Sequence, residues 1–474
     1  MAGRDRLGAR RKGVSMAKRN DALARLIEEA GCSEARLASQ VNALAKAAGI
    51  TCGYDYSAVY RWVEKGQVPR AGIARFIAEA LSERIGRRVI PAEFGMGDEL
   101  SLAERSLAYD VDPLDTVNTV LELGRADMKR RSLITKSPYL IAALALPTRD
   151  WLLAVLDEQH NPRGPRKVGM KQVQGIREMF RHFQEMDVMR GGGHARLALV
   201  QYMDDYVLPL LREFHSEDVK QALYEAASEQ CYLVGWMAYD DGQHGLAQRY
   251  LIQSLRLAQA SGNRPLGAHV LAGMSDQANL LGQPDEAVTL AKAGQHAITE
   301  RDSAACLTDL YVLEARAQAV LGNKTKAIQA VTHAERLFPG IDHDNEPEWA
   351  RFIDQAYIYG EAAHTFRDLS YTAPAEAPHT EEFASISLDA AKMQGRARRG
   401  ALSYAARSIS LLQRKQPDQA GSEALHVLDL AAQITSSRAT ETIRDLRRRL
   451  RGHEDVPEVA EFAERARAEF GVAA

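Results

Sequence analysis

Cysteine is scarce in this chain of 474 residues, which contains four cysteines and no C-x-x-C pair. Neither a disulfide framework nor a structural zinc site is indicated, and such usage is typical of a reducing compartment. Long apolar runs are also missing, because the most apolar stretch, residues 133–156, is interrupted by prolines and charged residues. A membrane helix needs about 20 consecutive apolar residues. The N-terminus also has no apolar signal-peptide core. We therefore expect a cytoplasmic protein that makes no membrane contact.

Catalytic motifs are equally scarce. The 13 histidines form no H-E-x-x-H motif, and no G-x-S-x-G motif occurs. The glycine triplet 191–193 lacks the preceding strand and the spacing of a phosphate-binding loop, so a turn between helices explains it more simply. We predict that the protein is not an enzyme and uses neither a cofactor nor a metal. A helical enzyme, such as a phosphatase-like solenoid, is the alternative, because groups that converge from different helices leave no trace in one sequence.

The charge is unevenly distributed. Residues 1–98 carry 17 Lys and Arg against 11 Asp and Glu, although the whole chain has a net charge of −3. A basic first part on an acidic body indicates that only the first part meets a polyanion. The excess is concentrated in the tail 1–19, where we expect DNA contacts from Arg10, Arg11, Lys12, Lys18 and Arg19. A solvated tail, or a true start at Met16, is the alternative.

Residues 20–95 contain signals for four helices with apolar stripes. The third, within "DYSAVYRWVEKGQVPR", has two good capping residues at its start, Asp55 and Ser57, and ends near Gly66. On a period of 3.6 residues its apolar side chains share one face, and Tyr56, Ser57, Tyr60 and Arg61 share much of the other. Such a cluster of short helices is the helix-turn-helix arrangement, in which one helix enters the major groove of DNA. A small helical bundle that binds another protein is the alternative.

The order "LARLIEEAGCSEARLASQVN…DYSAVYRWVEKGQVPR…IARFIAEALSERIG" resembles the phage-repressor type (Cro/CI-like or XRE-like) of helix-turn-helix. It is similar in particular to the version that opens tetratricopeptide-repeat regulators of sporulating, antibiotic-producing bacteria. The strings "GGGHAR" and "YMDDYVLPLLREF" extend the resemblance along the chain. The resemblance implies that Tyr56, Ser57, Tyr60 and Arg61 read DNA, and that the protein controls development or secondary metabolism, often as a repressor. A long insertion between Ala38 and Tyr56 departs from the family, so we expect an extended second helix and a loose turn.

The acidic body contains an internal repeat. Gly242, Gly282 and Gly322 are forty residues apart, and so are three alanines five residues further on. Each frame reads as a helix, a turn with a glycine and a second helix, which is the tetratricopeptide pattern with longer elements. The fold class is therefore all-α, a helix-turn-helix domain followed by a tetratricopeptide-like solenoid. The predicted parts are the tail 1–19, the DNA-binding domain 20–95, a linker 96–116, a helical connecting region 117–225 and the solenoid 226–474.

Stacked repeats form a concave groove along their first helices. A groove that mixes aromatic, amide and charged side chains suits an extended peptide or a protein segment. Packing between repeats is the alternative for each residue taken alone. The predicted partner groove contains Tyr232, Trp236, Tyr239, His269, Asp276, Asn279, Asp309 and Arg316.

These features favour a one-component transcription regulator whose first domain binds double-stranded DNA and whose solenoid senses a peptide or protein partner and mediates dimerisation. The alternative is a tetratricopeptide-repeat scaffold for protein–protein interaction without specific DNA binding. Because helix-turn-helix regulators usually read two half-sites, we expect a homodimer. The predicted dimer surface is an apolar stripe near the C-terminus, unless that stripe only caps the solenoid: Leu428, Leu430, Ile434, Ile443, Leu446 and Leu450.

Overall fold

The computed structural model describes residues 19–47, 51–69, 73–85, 89, 91–94, 96, 102–109, 112–128, 138–144, 147–152, 170–190, 195–213, 215–434 and 436–472. Within these ranges the chain forms helices and turns without a β-strand, so the predicted all-α class is confirmed. None of the helices described is long and apolar enough to cross a membrane. The chain divides into a first unit, Met1–Arg105, and a repeat unit, Ser106–Ala474.

The first unit is built around one apolar core. Its helices are α1 (Asp21–Glu29), α2 (Glu34–Ala47), α3 (Tyr56–Glu64), α4 (Ala74–Ile85) and α5 (Leu102–Arg105), with a 3-10 turn at Pro91–Phe94. The predicted apolar stripes of the first four helices pack together, and Leu37, Val59 and Ile77 have no exposed surface. The 14 residues of α2 agree with the predicted extension of the second helix.

The connection between α2 and α3 is anchored by one amide side chain. Asn42, on α2, donates a hydrogen bond to the carbonyl of Tyr54 at 2.7 Å and accepts one from the amide of Tyr54 at 2.9 Å. Asp55 then caps α3 by accepting a hydrogen bond from the amide of Ala58. The orientation in which α3 begins is therefore fixed by α2, although the connection is long.

The repeat unit begins with helices outside the regular array. These are α6 (Pro113–Met128), α7 (Met170–Arg190) and α8 (Arg196–Tyr202), and a π-helical turn at Met203–Val207 follows α8. Residues 106–109, which lie in the interval predicted as a linker, pack on the array. Tyr109, for example, donates a hydrogen bond to Gln259 at 2.6 Å.

Paired helices then form a solenoid-like array. The pairs are α9 (Glu217–Asp240) with α10 (His244–Ser261), α11 (Arg264–Leu280) with α12 (Pro284–Ala297), α13 (Ala304–Val320) with α14 (Lys324–Leu337), α15 (Gln355–Leu369) with α16 (Ala377–Met393), and α17 (Ala397–Gln413) with α18 (Pro417–Ala431). The helices α19 (Ser437–Leu450) and α20 (Pro457–Phe470) follow. The array thus begins within the interval that was predicted to connect the two domains.

The repeated glycines close the first helix of a pair. Gly242, Gly282 and Gly322 have φ angles of +75°, +72° and +74°, which glycine adopts at no steric cost. In each case the next residue donates its amide hydrogen to a carbonyl five residues back, as Gln243 does to Ala238 at 2.8 Å. Lys415 takes the same place between α17 and α18 with a φ of +63°, so the fifth pair repeats the turn without its glycine.

The C-terminal apolar stripe packs within the chain. Leu428, Ile443, Leu446 and Leu450 are buried in one cluster with side chains of α20, and Leu430 and Ile434 pack against that cluster. The prediction of this stripe as a dimer surface is therefore corrected, because these side chains close the C-terminal end of the array. The homodimer itself stays a prediction.

Candidate functional site

The outward face of α3 presents exposed polar side chains, most of which make no hydrogen bond with a described residue. The exposed fractions of Tyr56 and Tyr60 are 55% and 42%, and their rings stack 6.0 Å apart. Arg61 is also exposed, and its guanidinium makes no hydrogen bond with any described residue. Ser57 donates a weak hydrogen bond to Asp55 at 3.4 Å. These four residues, called the α3 face below, lie together as the sequence predicts.

The opposite side of α3 holds the helix rigidly in the core. Ala58, Val59, Trp62 and Val63 are buried, and the Trp62 ring contacts Tyr54 edge to face at 5.0 Å. Rigid placement on a helix lets side chains on its outer face meet a partner with little loss of conformational entropy.

The basic tail is described only at its last residue. Arg19 pairs with Glu64 at the end of α3 at 3.0 Å and with Asp21 at 3.1 Å. Its charge is therefore partly compensated beside α3. The other four predicted DNA contacts, Arg10, Arg11, Lys12 and Lys18, lie outside the described residues.

Most of the side chains predicted to line the partner groove are buried. Tyr232, Tyr239, His269, Asp276, Asp309 and Arg316 have at most 8% of their surface exposed, whereas Trp236 and Asn279 are half-buried. The structure does bring most of the set together, because Tyr239 donates a hydrogen bond to Asp276 and Arg316 donates one to the same carboxylate. An extended peptide therefore has no direct access to these six residues.

Elements outside the helical pairs cover this side of the array. Trp349 stacks on His269 at 4.9 Å between ring centres. The guanidinium of Arg438, on α19, lies over the ring of Tyr239 at 4.8 Å. The first helices of the pairs would otherwise present polar side chains to an open groove.

Ion pairs connect the first pair of helices with the last. Arg398, on α17, contacts Asp187 of α7 at 3.0 Å and Asp240 of α9 at 3.1 Å. Arg316 donates hydrogen bonds to Asp276 and Glu361, each at 2.8 Å. We call this buried set, completed by Arg399 and Asp309, the interior network. Its members come from helices far apart in sequence, so a single change affects several helices.

The two carboxyl groups Glu361 and Asp309 of the interior network have pKa values that are shifted in opposite directions. Burial alone would raise the pKa of Glu361, but Arg316 and Arg399 outweigh it and hold that pKa well below its usual range. Burial raises the pKa of Asp309 to about 8, although Tyr357 donates a hydrogen bond to it. Glu361 is thus ionised between two arginines, while Asp309 is largely neutral at pH 7.

A narrow cavity remains inside the array. It has about 50 Å³ of space for the centres of water-sized molecules. Its walls combine the aromatic side chains Tyr232, Trp236 and Phe352 with the arginines Arg398 and Arg438. The sequence contains no signal for these arginines, because Arg398 of α17 and Arg438 of α19 become neighbours only in the folded array.

His269 lies among aromatic rings, and neither of its ring nitrogens has a hydrogen bond with a described residue. Burial lowers its pKa to about 3, from an ordinary value of 6.5. A depressed folded-state pKa means that the neutral ring stabilises the fold above pH 6.5 and that this contribution is lost as the pH falls.

Replacing His269 by phenylalanine should therefore make the stability less sensitive to acid. As the pH is lowered from 6.5 to 5, the free energy of unfolding of the parent should fall more steeply than that of H269F. The difference should grow by about 1.4 kcal/mol per pH unit at most. Urea denaturation at several pH values measures the difference. Glu229 and Asp309, whose pKa values burial raises to about 8, titrate in both proteins and cancel. The exposed His296→Phe serves as control, and a pH-independent difference for H269F would contradict the prediction.

No three His, Cys, Asp or Glu side chains are grouped to hold a metal ion within the part of the chain that the structure describes. In comparison with known families, residues 23–97 match the family model described as the SP15 N-terminal domain. The match includes the whole of α2, α3 and α4, and therefore the α3 face. Comparison of the chain with curated proteins and with solved structures gave no match.

Proposed function

We propose that the protein is a DNA-binding transcription regulator whose first unit reads double-stranded DNA through the α3 face. The observation that carries the proposal is the pair of stacked tyrosines beside Arg61. All three side chains are exposed and make no hydrogen bond with a described residue, on a helix whose opposite side is buried. Arginine is the commonest reader of guanine in the major groove, and hydroxyl groups bond to phosphates or base edges. The basic balance of residues 1–98 supports the same conclusion.

The repeat unit in this proposal receives the signal that modulates DNA binding. The family resemblance adds that the regulated genes belong to development or secondary metabolism, mostly under repression. One reading helix contacts few base pairs, so a homodimer is needed to compete with the many non-specific sites of a genome. A surface other than the C-terminal apolar stripe must then form that dimer.

Changing the α3 face should weaken specific DNA binding without unfolding the protein. We expect Arg61→Ala or Tyr60→Ala to cost about 1–3 kcal/mol of discrimination between a binding site and unrelated DNA. The measurement is binding of the full chain to a site obtained by genome-wide mapping, at fixed salt. Arg25→Ala removes the same charge from the exposed face of α1 and serves as the matched control.

Two outcomes would contradict the proposal. Unchanged specificity in both variants would mean that α3 is not the reading helix. Failure of the parent chain to retain any DNA sequence selectively would favour the scaffold alternative, in which the repeat unit only holds other proteins.

A further inference from the structure

A second, larger cavity opens along α19. It has about 590 Å³ of space for water-sized molecules, a size typical of small-molecule sites. The first helices α13, α15 and α17 form one side of it and α19 forms the other. We call it the basic cavity.

Arginine dominates the charged side chains of the basic cavity. Against two carboxylates, Glu441 and Asp445, the lining contains six arginines: Arg316, Arg367, Arg438, Arg444, Arg448 and Arg449.

Protein carboxylates satisfy only some of these arginines. Arg316 is held by Asp276 and Glu361, and Arg367 makes a two-pronged contact with Asp368 at 2.8 Å. Arg448 and Arg449 share the single carboxylate of Asp445. Two arginines of the lining remain: Arg444, which has no such partner among the described residues, and Arg438, which has only a long contact with Asp276.

Arg438 is the more unusual of these two. Its side chain is 13% exposed and makes no hydrogen bond with any described residue. The nearest carboxylate oxygen, on Asp276, is 3.9 Å away, and that oxygen already accepts a hydrogen bond from Tyr239. A guanidinium carries five N–H donors, and none of those of Arg438 is filled by a described residue. The stacking contact with Tyr239 holds the group in place but fills none of them.

Arg444 is exposed at the mouth of the cavity and pairs with no residue that the structure describes. On the facing side, burial and then the charges of Arg367 and Arg316 lower the pKa of His364 well below 6.5. His364 is therefore neutral, as expected where the local potential is positive. The lining of the cavity therefore carries an excess of positive charge.

We propose that the basic cavity binds a small molecule with two or more oxyanion groups, phosphate or carboxylate, held by Arg438 and Arg444. Guanidinium groups form short, two-pronged hydrogen bonds with both kinds of oxyanion. The proposal concerns the repeat unit alone and does not depend on DNA binding by α3. If α3 does bind DNA, the ligand is the signal that the repeat unit receives.

Calorimetric titration of the full chain with tripolyphosphate and with citrate, in the absence of DNA, tests the proposal. We expect saturable one-to-one binding of one probe, and the probe that binds distinguishes phosphate from carboxylate chemistry. Arg438→Gln and Arg444→Gln should each weaken binding about tenfold or more, and the affinity should fall as salt is added. Arg336→Gln, on the exposed surface of α14, is the matched control and should bind like the parent.

Three results would overturn the inference. The first is that neither probe binds. The second is that Arg336→Gln weakens binding as much as the two cavity variants do. The third is that hexaglutamate binds more tightly than both probes, which would indicate an acidic polypeptide as partner. If Arg438→Gln lowers the melting temperature strongly, Arg444→Gln decides the outcome, because Arg444 is exposed and outside the core.

Discussion

Glu361→Ala should destabilise the repeat unit by about 3–5 kcal/mol, one of the two largest effects that we expect from a single substitution. The carboxylate is 3% exposed and accepts hydrogen bonds at 2.8 Å from both Arg316 and Arg399. Its removal leaves the guanidinium of Arg399 without a carboxylate partner among the described residues, and leaves Arg316 with Asp276 alone. Desolvated charge that is left unpaired costs more than the intact pair contributes, which explains the size of the expected loss.

Urea denaturation followed by tryptophan fluorescence measures this effect, because Trp151, Trp236 and Trp349 all lie in the repeat unit. Glu300→Ala is the matched control. Glu300 faces Arg336 at 3.7 Å with about half of its side chain exposed, so its loss should cost less than about 1 kcal/mol. An equal and small effect of both substitutions would mean that water or a rearranged carboxylate replaces Glu361.

The helical pairs could be predicted because their signals are local. The apolar period of 3.6 residues and the glycines at positions 242, 282 and 322 each act within one turn of the chain. The fifth pair lacks the glycine signal, because Lys415 occupies the left-handed position that glycine takes in the first three. The closure of the array could not be predicted. It depends on pairs such as Asp187 with Arg398, which are 211 residues apart and follow no spacing rule.

The α3 face could be predicted more completely than the partner groove, and the reason is again that local signals are visible in the sequence whereas distant contacts are not. The α3 face follows from the alternation within one short helix, so the sequence places Tyr56 and Tyr60 outside and Trp62 inside. The groove residues lie on the first helices as predicted. Whether such a polar side chain meets solvent depends on what covers it, and Trp349 and Arg438 come from segments outside the repeat pattern. A repeat period therefore identifies the face of a helix but not its exposure.

The second large effect is expected in the first unit. Trp62 is 4% exposed and packs in the core that joins α1 to α4, in edge-to-face contact with Tyr54. Trp62→Ala should destabilise this unit by about 3–5 kcal/mol, through lost burial and the cavity that remains. Domains are stable by only about 5–15 kcal/mol, so a substantial fraction of the first unit should unfold at moderate temperature.

Hydrogen exchange of the full chain, read peptide by peptide with mass spectrometry, separates this unfolding from a direct loss of DNA contacts. In Trp62→Ala, peptides of α1 to α4 should exchange faster, while those of α9 to α18 should keep the protection of the parent, because the core around Trp62 contains only residues of the first unit. Tyr60→Ala is the matched control from the exposed side of the same helix. It should leave exchange unchanged and still reduce DNA binding. If Trp62→Ala weakens DNA binding without faster exchange in α1 to α4, Trp62 belongs to the contact surface and the assignment of the two sides of α3 is wrong.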